Sequence, residues 1–310
     1  MDDFEFMLFD RIEKIKQINS EYDLENNSYI AFSGGKDSLV LSKLLDLALP
    51  NNKIPRVNVD TGIEYKYMRE FVIELSKNDP RIIILKPTVN IKKMLEVNGY
   101  PFKSKEHSKK VYQYQQGYYS NTIKQYITGV REKNGEELKS RYKCPNILQY
   151  QFTPNNKLKI SHKCCLIMKE RPMTSWGTEN KRKIFLTGMR RDEGGQRKLG
   201  NCLNIKNDKL VSFNPLMPVE NEFIDQFINK YNIQLCKLYY PPFNFKRTGC
   251  KGCPFALELQ DQLETMEKLL PAEKRQCENV WKPVYEEYRR LGYRLRKQGS
   301  FKQTTIFDYL

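Results

Sequence analysis

Apolar residues recur at helical spacing near the start of the chain, at Phe4, Met7, Leu8, Ile12, Ile15 and Ile18, and predict an amphipathic helix. A short apolar run follows at Ser28–Phe32, the pattern of a strand covered on both faces. Leu39, Leu41, Leu44 and Leu45 return to helical spacing. The stretches IPRVNVD, RIIILKP and KIFLTGM are three further runs of strand length. Strand and helix alternate over residues 28–100, which predicts an α/β fold: a parallel twisted sheet with helices on both faces. Residues 101–160 break this rhythm. They are rich in Lys and Tyr, carry turn signals at Lys133-Asn134-Gly135 and Pro154-Asn155-Asn156, and read as an insertion of helices and loops able to cap a ligand site. Residues 161–215 return to the sheet, and from Pro218 the pattern is helical. The predicted plan is an N-terminal helix (1–27), an α/β domain (28–217, insertion about 101–160), a helical C-terminal region (218–300) and a tail (301–310).

The junction of the first strand and its helix reads Ser33-Gly34-Gly35-Lys36-Asp37-Ser38. Backbone N–H groups and the helix dipole favour an anion at such a junction. The two glycines allow close backbone approach, Lys36 adds a positive charge, and Ser33 and Ser38 add hydroxyls. Either Asp37 or Ser38 is expected to begin the helix. The spacing excludes the common nucleotide P-loop, which needs four residues between its Gly and its Gly-Lys pair. Two other strand ends carry candidate groups: Asp60-Thr61-Gly62, with Glu64 expected to open a helix, and Gly188-Met189-Arg190-Arg191.

Charge and cysteine content sharpen the picture. The chain has 310 residues and a formal net charge of +16. Arg289–Lys302 holds six basic residues and no acid, and Lys103–Tyr119 mixes Lys with four Tyr. Charge interleaved with aromatics suits a nucleic acid, whose phosphates and bases such groups contact. No apolar run approaches the ~18 residues of a membrane span, and the acidic-then-basic N-terminus is unlike a signal peptide, so a cytoplasmic location is expected. The eight cysteines then point to metal or redox chemistry more than to disulfides. Cys164 and Cys165 are adjacent, and Cys250 and Cys253 form a Cys-x-x-Cys beside glycines. Four thiolates suit Zn or an iron–sulfur cluster; adjacent cysteines are awkward around Zn and easier on a cubane. Cys144, Cys202, Cys236 and Cys277 read by default as small buried apolar residues, and of the four Cys144 is the best candidate for a sulfur-carrying or partner-facing thiol. Of the two histidines, His107 is expected to face solvent and His162 to lie near the thiol site. So few histidines argue against a Ser-His-Asp triad or a multi-His metal site.

The SGGKDS loop resembles the pyrophosphate loop of the N-type ATP pyrophosphatase (PP-loop) superfamily, whose fold is of the adenine nucleotide α-hydrolase type. With its Asp-Thr-Gly, Gly-Met-Arg-Arg and cysteine motifs, the chain is most similar to the phosphoadenosine phosphosulfate (PAPS) reductase-like branch. That branch holds iron–sulfur sulfonucleotide reductases and DNA phosphorothioation sulfurtransferases. The resemblance spans roughly residues 28–255. It implies ATP or a related adenine nucleotide at Ser33, Gly34, Gly35, Lys36, Asp37, Ser38, Asp60, Thr61, Gly62, Gly188 and Arg190. It implies Mg²⁺ held by Asp60 or Asp37, with Arg190 and Arg191 clamping the α phosphate or the acceptor. It also implies Cys164, Cys165, Cys250 and Cys253 as [4Fe–4S] ligands.

Three functions follow as expectations. The first is a sulfurtransferase that adenylates a nucleic acid, DNA above all, and takes sulfur from a cysteine desulfurase or another donor. The second is a PAPS or APS reductase; the tail Cys-Gly-Ile-His of that family has no counterpart here. The third is a non-catalytic nucleotide- and DNA-binding redox sensor. Gln303–Leu310 is similar to a sliding-clamp-binding peptide, in which apolar anchors on an extended tail fill a partner's groove.

Overall fold

The computed structural model describes residues 2–133, 135–193 and 195–297. The chain forms two compact units, each assembled from two separate stretches: 1–88 with 167–250, and 89–166 with 251 onward. Residues 89–166 interrupt the sheet unit in sequence and share a unit with the C-terminal helices.

The described residues form eight strands: β1 (Ser28–Ala31), β2 (Arg56–Val59), β3 (Ile82–Leu85), β4 (Val130–Lys133), β5 (Glu136–Lys139), β6 (Ile184–Leu186), β7 (Leu203–Lys206) and β8 (Lys209–Phe213). The first unit holds a six-stranded sheet in the order β3-β2-β1-β6-β8-β7. All neighbouring pairs are parallel except β7 with β8. The register sets Ile30 opposite Arg56 on one side and Leu186 on the other. The chain leaves β1 toward β2, and β6 later fills the opposite side. The sheet therefore changes winding direction at β1, and a crevice opens beyond the carboxyl ends of β1, β2 and β6. All three candidate motifs follow those ends.

The N-terminal helix, Asp3–Tyr22, is capped by the Asp2 carboxylate, which accepts from the Glu5 N–H. Its Leu8, Ile15 and Ile18 join Leu41, Leu44 and Leu45 of the helix Lys36–Ala48 and Phe223, Ile224 and Phe227 of the helix Asn221–Lys230 in one core. The apolar stripe is thus consumed inside the fold, each side chain contributing roughly 1.5–3 kcal/mol by burial. The β7–β8 hairpin turns through Asn207 and Asp208, both at positive φ, a conformation these residues tolerate better than most.

The second unit contains the antiparallel pair β4–β5, where helices and loops were expected. Its C-terminal helices are Leu259–Leu269, Pro271–Val280 and Lys282–Leu291. Pro271 and Pro283 each stand in the first turn of their helix, where a missing N–H costs nothing. The expected solvent-facing His107 is instead fully buried in this unit. Its Nδ1 lies 3.0 Å from the Tyr126 hydroxyl and its Nε2 2.7 Å from Gln151 Oε1. Burial lowers its pKa to about 4. An unfolded His titrates near 6.5, so between these values the unfolded chain binds the extra proton and acid favours unfolding. The contribution is full above pH ~6.5 and falls by up to about 3 kcal/mol as pH drops to ~4. Denaturant melts of the wild type and of His107→Gln should diverge in slope across that window. Parallel pH profiles would contradict the buried neutral ring.

Candidate nucleotide site

The helix after β1 begins at Lys36, with Gly35 as its N-cap, rather than at Asp37 or Ser38. Gly34 stands at φ +73, and a Cβ there would lie 2.5 Å from Val72 Cγ2, so both backbone and space demand glycine. The hydroxyls of Ser33 and Ser38 are 3.2 Å apart, and the Ser38 hydroxyl donates to the Gly35 carbonyl at 2.9 Å. The loop is therefore internally braced at a helix N-terminus, the setting in which an anion binds.

The Lys36 ammonium lies 3.5 Å from Asp225 Oδ1 and 5.4 Å from the centre of the Tyr239 ring. The Lys36 N–H donates to the Tyr239 hydroxyl at 3.3 Å, and that hydroxyl is 2.7 Å from Thr248 Oγ1. Burial raises the Tyr239 pKa, so the phenol stays neutral. Tyr239, Thr248 and Asp225 are site residues that no sequence pattern marks.

The other two strand ends converge on this loop. Asn58 of β2 donates to the Phe32 carbonyl at 2.9 Å. Ser33, Asn58, Asp60, Met68, Arg69 and Val72 line one pocket. Arg69, also unmarked in sequence, binds Asp60 Oδ2 at 2.7 Å, while the Gly62 N–H donates to Asp60 Oδ1 at 3.2 Å. Thr61 donates through its N–H and its hydroxyl to the Glu64 carboxylate at 3.0 and 2.7 Å. The helix starts at Lys66, not at Glu64. Glu64 instead closes this turn, and it pairs with Cys250 in an isolated β-bridge. The Cys-x-x-Cys thus begins beside the Asp-Thr-Gly loop.

Gly188 packs against Asp37, whose carbonyl oxygen would lie 2.7 Å from a Cβ there. Beyond it, the two arginines divide. Arg190 is buried, and its Nε donates to Asp37 Oδ1 at 2.6 Å and its Nη2 to Asn221 Oδ1 at 2.9 Å. It is an internal strut between two motifs. Arg191 is exposed and remains available at the rim.

The cysteines sort by burial. None of the eight is in a disulfide. Cys164 and Cys165 open a helical turn that passes into a π-helical turn at Leu166–Glu170. Cys164 is buried and Cys165, Cys250 and Cys253 are half-exposed. Four thiols outside any disulfide suit the chemistry of an iron–sulfur cluster, although among the described residues no three His, Cys, Asp or Glu side chains gather as a metal-binding group. Cys144, the expected sulfur carrier, is 1% exposed. Burial pushes its thiol up to about 11, which leaves it protonated and a poor nucleophile.

The basic stretches also change meaning. Arg289 makes two bonds to the Glu278 carboxylate, at 3.0 and 2.5 Å, and Arg290 two to Glu287, at 2.7 and 2.8 Å. Arg296 meets Glu264 at 2.8 Å. Much of this run is neutralised by acids outside it. In the Lys-Tyr stretch, Lys110 lies 5.1 Å from the centre of the Tyr142 ring, and Lys163 lies 4.2 Å from that of Tyr112. Tyr118 and Tyr119 remain exposed. The clamp-like segment Gln303–Leu310 lies outside the described residues. Among the described residues no helix is long and apolar enough to cross a membrane.

A mostly parallel sheet with an SGGKDS loop at its switch point defines a PP-loop nucleotide-binding fold. The family model described as "Phosphoadenosine phosphosulfate reductase domain" matches residues 27–151 and 136–256, and the chain belongs to that family. The uncharacterized protein MJ0973 of Methanocaldococcus jannaschii is 31% identical over 156 residues, covering 43% of this chain and 36% of that protein. The chain therefore matches about a third of that relative's length. Among solved structures, the PAPS reductase of Candida auris aligns with a TM-score of 0.40 and 14% identity over 72% of this chain and 81% of that one. The U34-tRNA thiolase NcsA of Methanococcus maripaludis, solved with its [4Fe-4S] cluster, gives 0.41 and 17% over 91% and 79%. The Candida glabrata FMN adenylyltransferase gives 0.44 and 14% over 80% and 63%.

Proposed function

We propose that this chain is an ATP-pyrophosphatase-type sulfurtransferase that adenylates a nucleic acid, DNA first of all, for sulfur incorporation. The observation that carries the reading is the braced SGGKDS loop at the helix N-terminus, with a lysine beside it and two carboxylates at neighbouring strand ends. An acceptor phosphate oxygen attacks the α phosphorus of ATP, the α–β bridge breaks, and pyrophosphate leaves with the electron pair. The helix N-terminus at Gly34, Gly35 and Lys36, with the Lys36 ammonium, stabilises the charge that develops on it. Asp60 or Asp37, each already paired with a guanidinium, would hold Mg²⁺, which would offset phosphate charge, and exposed Arg191 contacts the acceptor. Hydrosulfide, supplied as such or released from a desulfurase's persulfide by a two-electron thiol reductant that becomes a disulfide, then attacks the activated phosphorus, and AMP leaves. In this reading Cys164, Cys165, Cys250 and Cys253 hold a [4Fe–4S] cluster, which supplies redox or sulfur-binding chemistry.

A sulfonucleotide reductase is the second reading, favoured by the family itself. It requires a mobile cysteine nucleophile. Cys277, the last cysteine of the chain, is fully buried within a helix, which disfavours it.

The test is pyrophosphate release from ATP by anaerobically purified protein, with and without DNA, tRNA and sulfide, alongside iron content. Release stimulated by DNA from protein with about four iron per chain supports the proposal. Tight binding of adenylyl sulfate or its 3′-phosphate without release points to the reductase. A colourless protein with one Zn removes the cluster.

A further inference from the structure

The loop that carries Cys250 and Cys253 is held from behind by one helical face. Trp281, Tyr285 and Tyr288 follow a spacing of four and three residues, so their side chains share one side of the helix Lys282–Leu291 and its cap. All three are buried. The Trp281 indole N–H donates to the Lys251 carbonyl at 3.1 Å, the Tyr285 hydroxyl donates to the Gly252 carbonyl, and the Tyr288 hydroxyl donates to the Pro254 carbonyl at 2.9 Å. Tyr288 also accepts from the Lys103 N–H at 2.7 Å. Arg294 donates to the Ala256 carbonyl, and the Cys253 carbonyl takes the Ala256 N–H at 2.8 Å. Nearly every carbonyl from Lys251 to Ala256 is therefore tied down by a specific donor. Gly252 stands at φ +59, and a Cβ there would run into the Tyr285 hydroxyl and come within 2.9 Å of Cys277 Sγ.

Ordinary core packing does not require this arrangement. Phe and Leu fill space as well, and a surface turn leaves its carbonyls to water. Three buried donors aimed at consecutive stretches of one short loop fix the orientation of its peptide planes. Because a trans peptide points its N–H opposite its C=O, the N–H groups of Gly252 and Cys253 are turned away from Tyr285 and Trp281. Groups that orient ligands and direct donors around thiolates tune both the affinity and the potential of a metal group.

We infer that Trp281, Tyr285 and Tyr288 are positioning residues for the Cys250–Cys253 loop, holding it in the shape from which its thiolates bind the cluster. This rests on the cluster reading above. The test compares Tyr285→Phe and Tyr288→Phe, which keep the rings and delete the donors, with Tyr126→Phe, which deletes a buried hydroxyl elsewhere in the same unit. Two readouts serve: iron loss to a chelator with the EPR spectrum of the reduced protein, and amide hydrogen exchange over 250–256 in metal-free protein. The expected result is iron loss roughly fivefold faster or more and an altered EPR spectrum in both loop variants, with faster exchange confined to 250–256. Tyr126→Phe should lower the melting temperature while leaving both readouts unchanged. Loop variants that melt earlier but keep wild-type iron retention, spectrum and exchange overturn the inference and leave the residues merely structural. A wild-type protein without iron overturns the cluster reading instead, and the exchange comparison then decides whether the loop is held as inferred.

Discussion

Lys36→Ala should lower pyrophosphate release by roughly 100- to 1,000-fold, the usual cost of removing one preorganised group that stabilises charge developing in the transition state. The geometry separates this from a folding defect. The Lys36 side chain is 33% exposed, and its partner Asp225 is 63% exposed at 3.5 Å. An ion pair of that kind contributes about 0–1 kcal/mol. The helix start is kept by Gly35, whose role does not depend on the ammonium. The variant should therefore melt within a few degrees of the wild type while losing turnover. Wild-type release rates in Lys36→Ala would remove the ammonium from the reaction and leave the loop as a binding cradle only.

Arg190→Ala should act in the opposite way, on the fold first. The guanidinium is 6% exposed and its partner Asp37 31%. Deleting it strips partners from Asp37 and Asn221 and leaves a void behind the loop. Breaking a fully buried pair costs about 3–5 kcal/mol. With Asp37 partly hydrated, about 2–3 kcal/mol is expected, or a fall of roughly 5–10 °C in melting temperature for a unit of this size. Denaturant midpoints measure it directly. An unchanged midpoint with lost nucleotide binding would return Arg190 to the phosphate-clamp role. Arg191→Ala is the natural comparison, because that side chain is exposed.

These two residues show which parts of the site the sequence exposes. The loop was legible because strand, glycines, lysine, hydroxyls and helix follow one another within a few residues, so local chemistry alone defines it. The strand ends at Asp60 and Gly188 were legible for the same reason. Arg190 and Arg191 are adjacent and chemically identical, and only the packing of Asn221 and Asp37 assigns one inward and the other outward. Tyr239, Thr248 and Arg69 reach the loop through tertiary contacts that leave no periodic or spacing signal. The basic run after Arg289 looked unopposed because its acids, Glu264 and Glu278, lie outside it in sequence, with Glu287 just before it. His107 looked solvated because its neighbours in sequence are lysines, while its neighbours in space are Tyr126, Gln151 and Phe152.

The order of strands in the sheet has a consequence for synthesis. β1 sits between β2, made shortly after it, and β6, which begins at Ile184. At about 5–20 residues per second, the ribosome takes on the order of ten seconds to deliver β6 after β1. For that interval β1 has one paired edge and one open edge, with apolar side chains on both of its faces. An unpaired strand edge of this kind is a template for association with other chains. The nascent half-sheet therefore needs shielding until the second stretch emerges. Slow translation through residues 89–166 would lengthen the exposure and fast translation would shorten it.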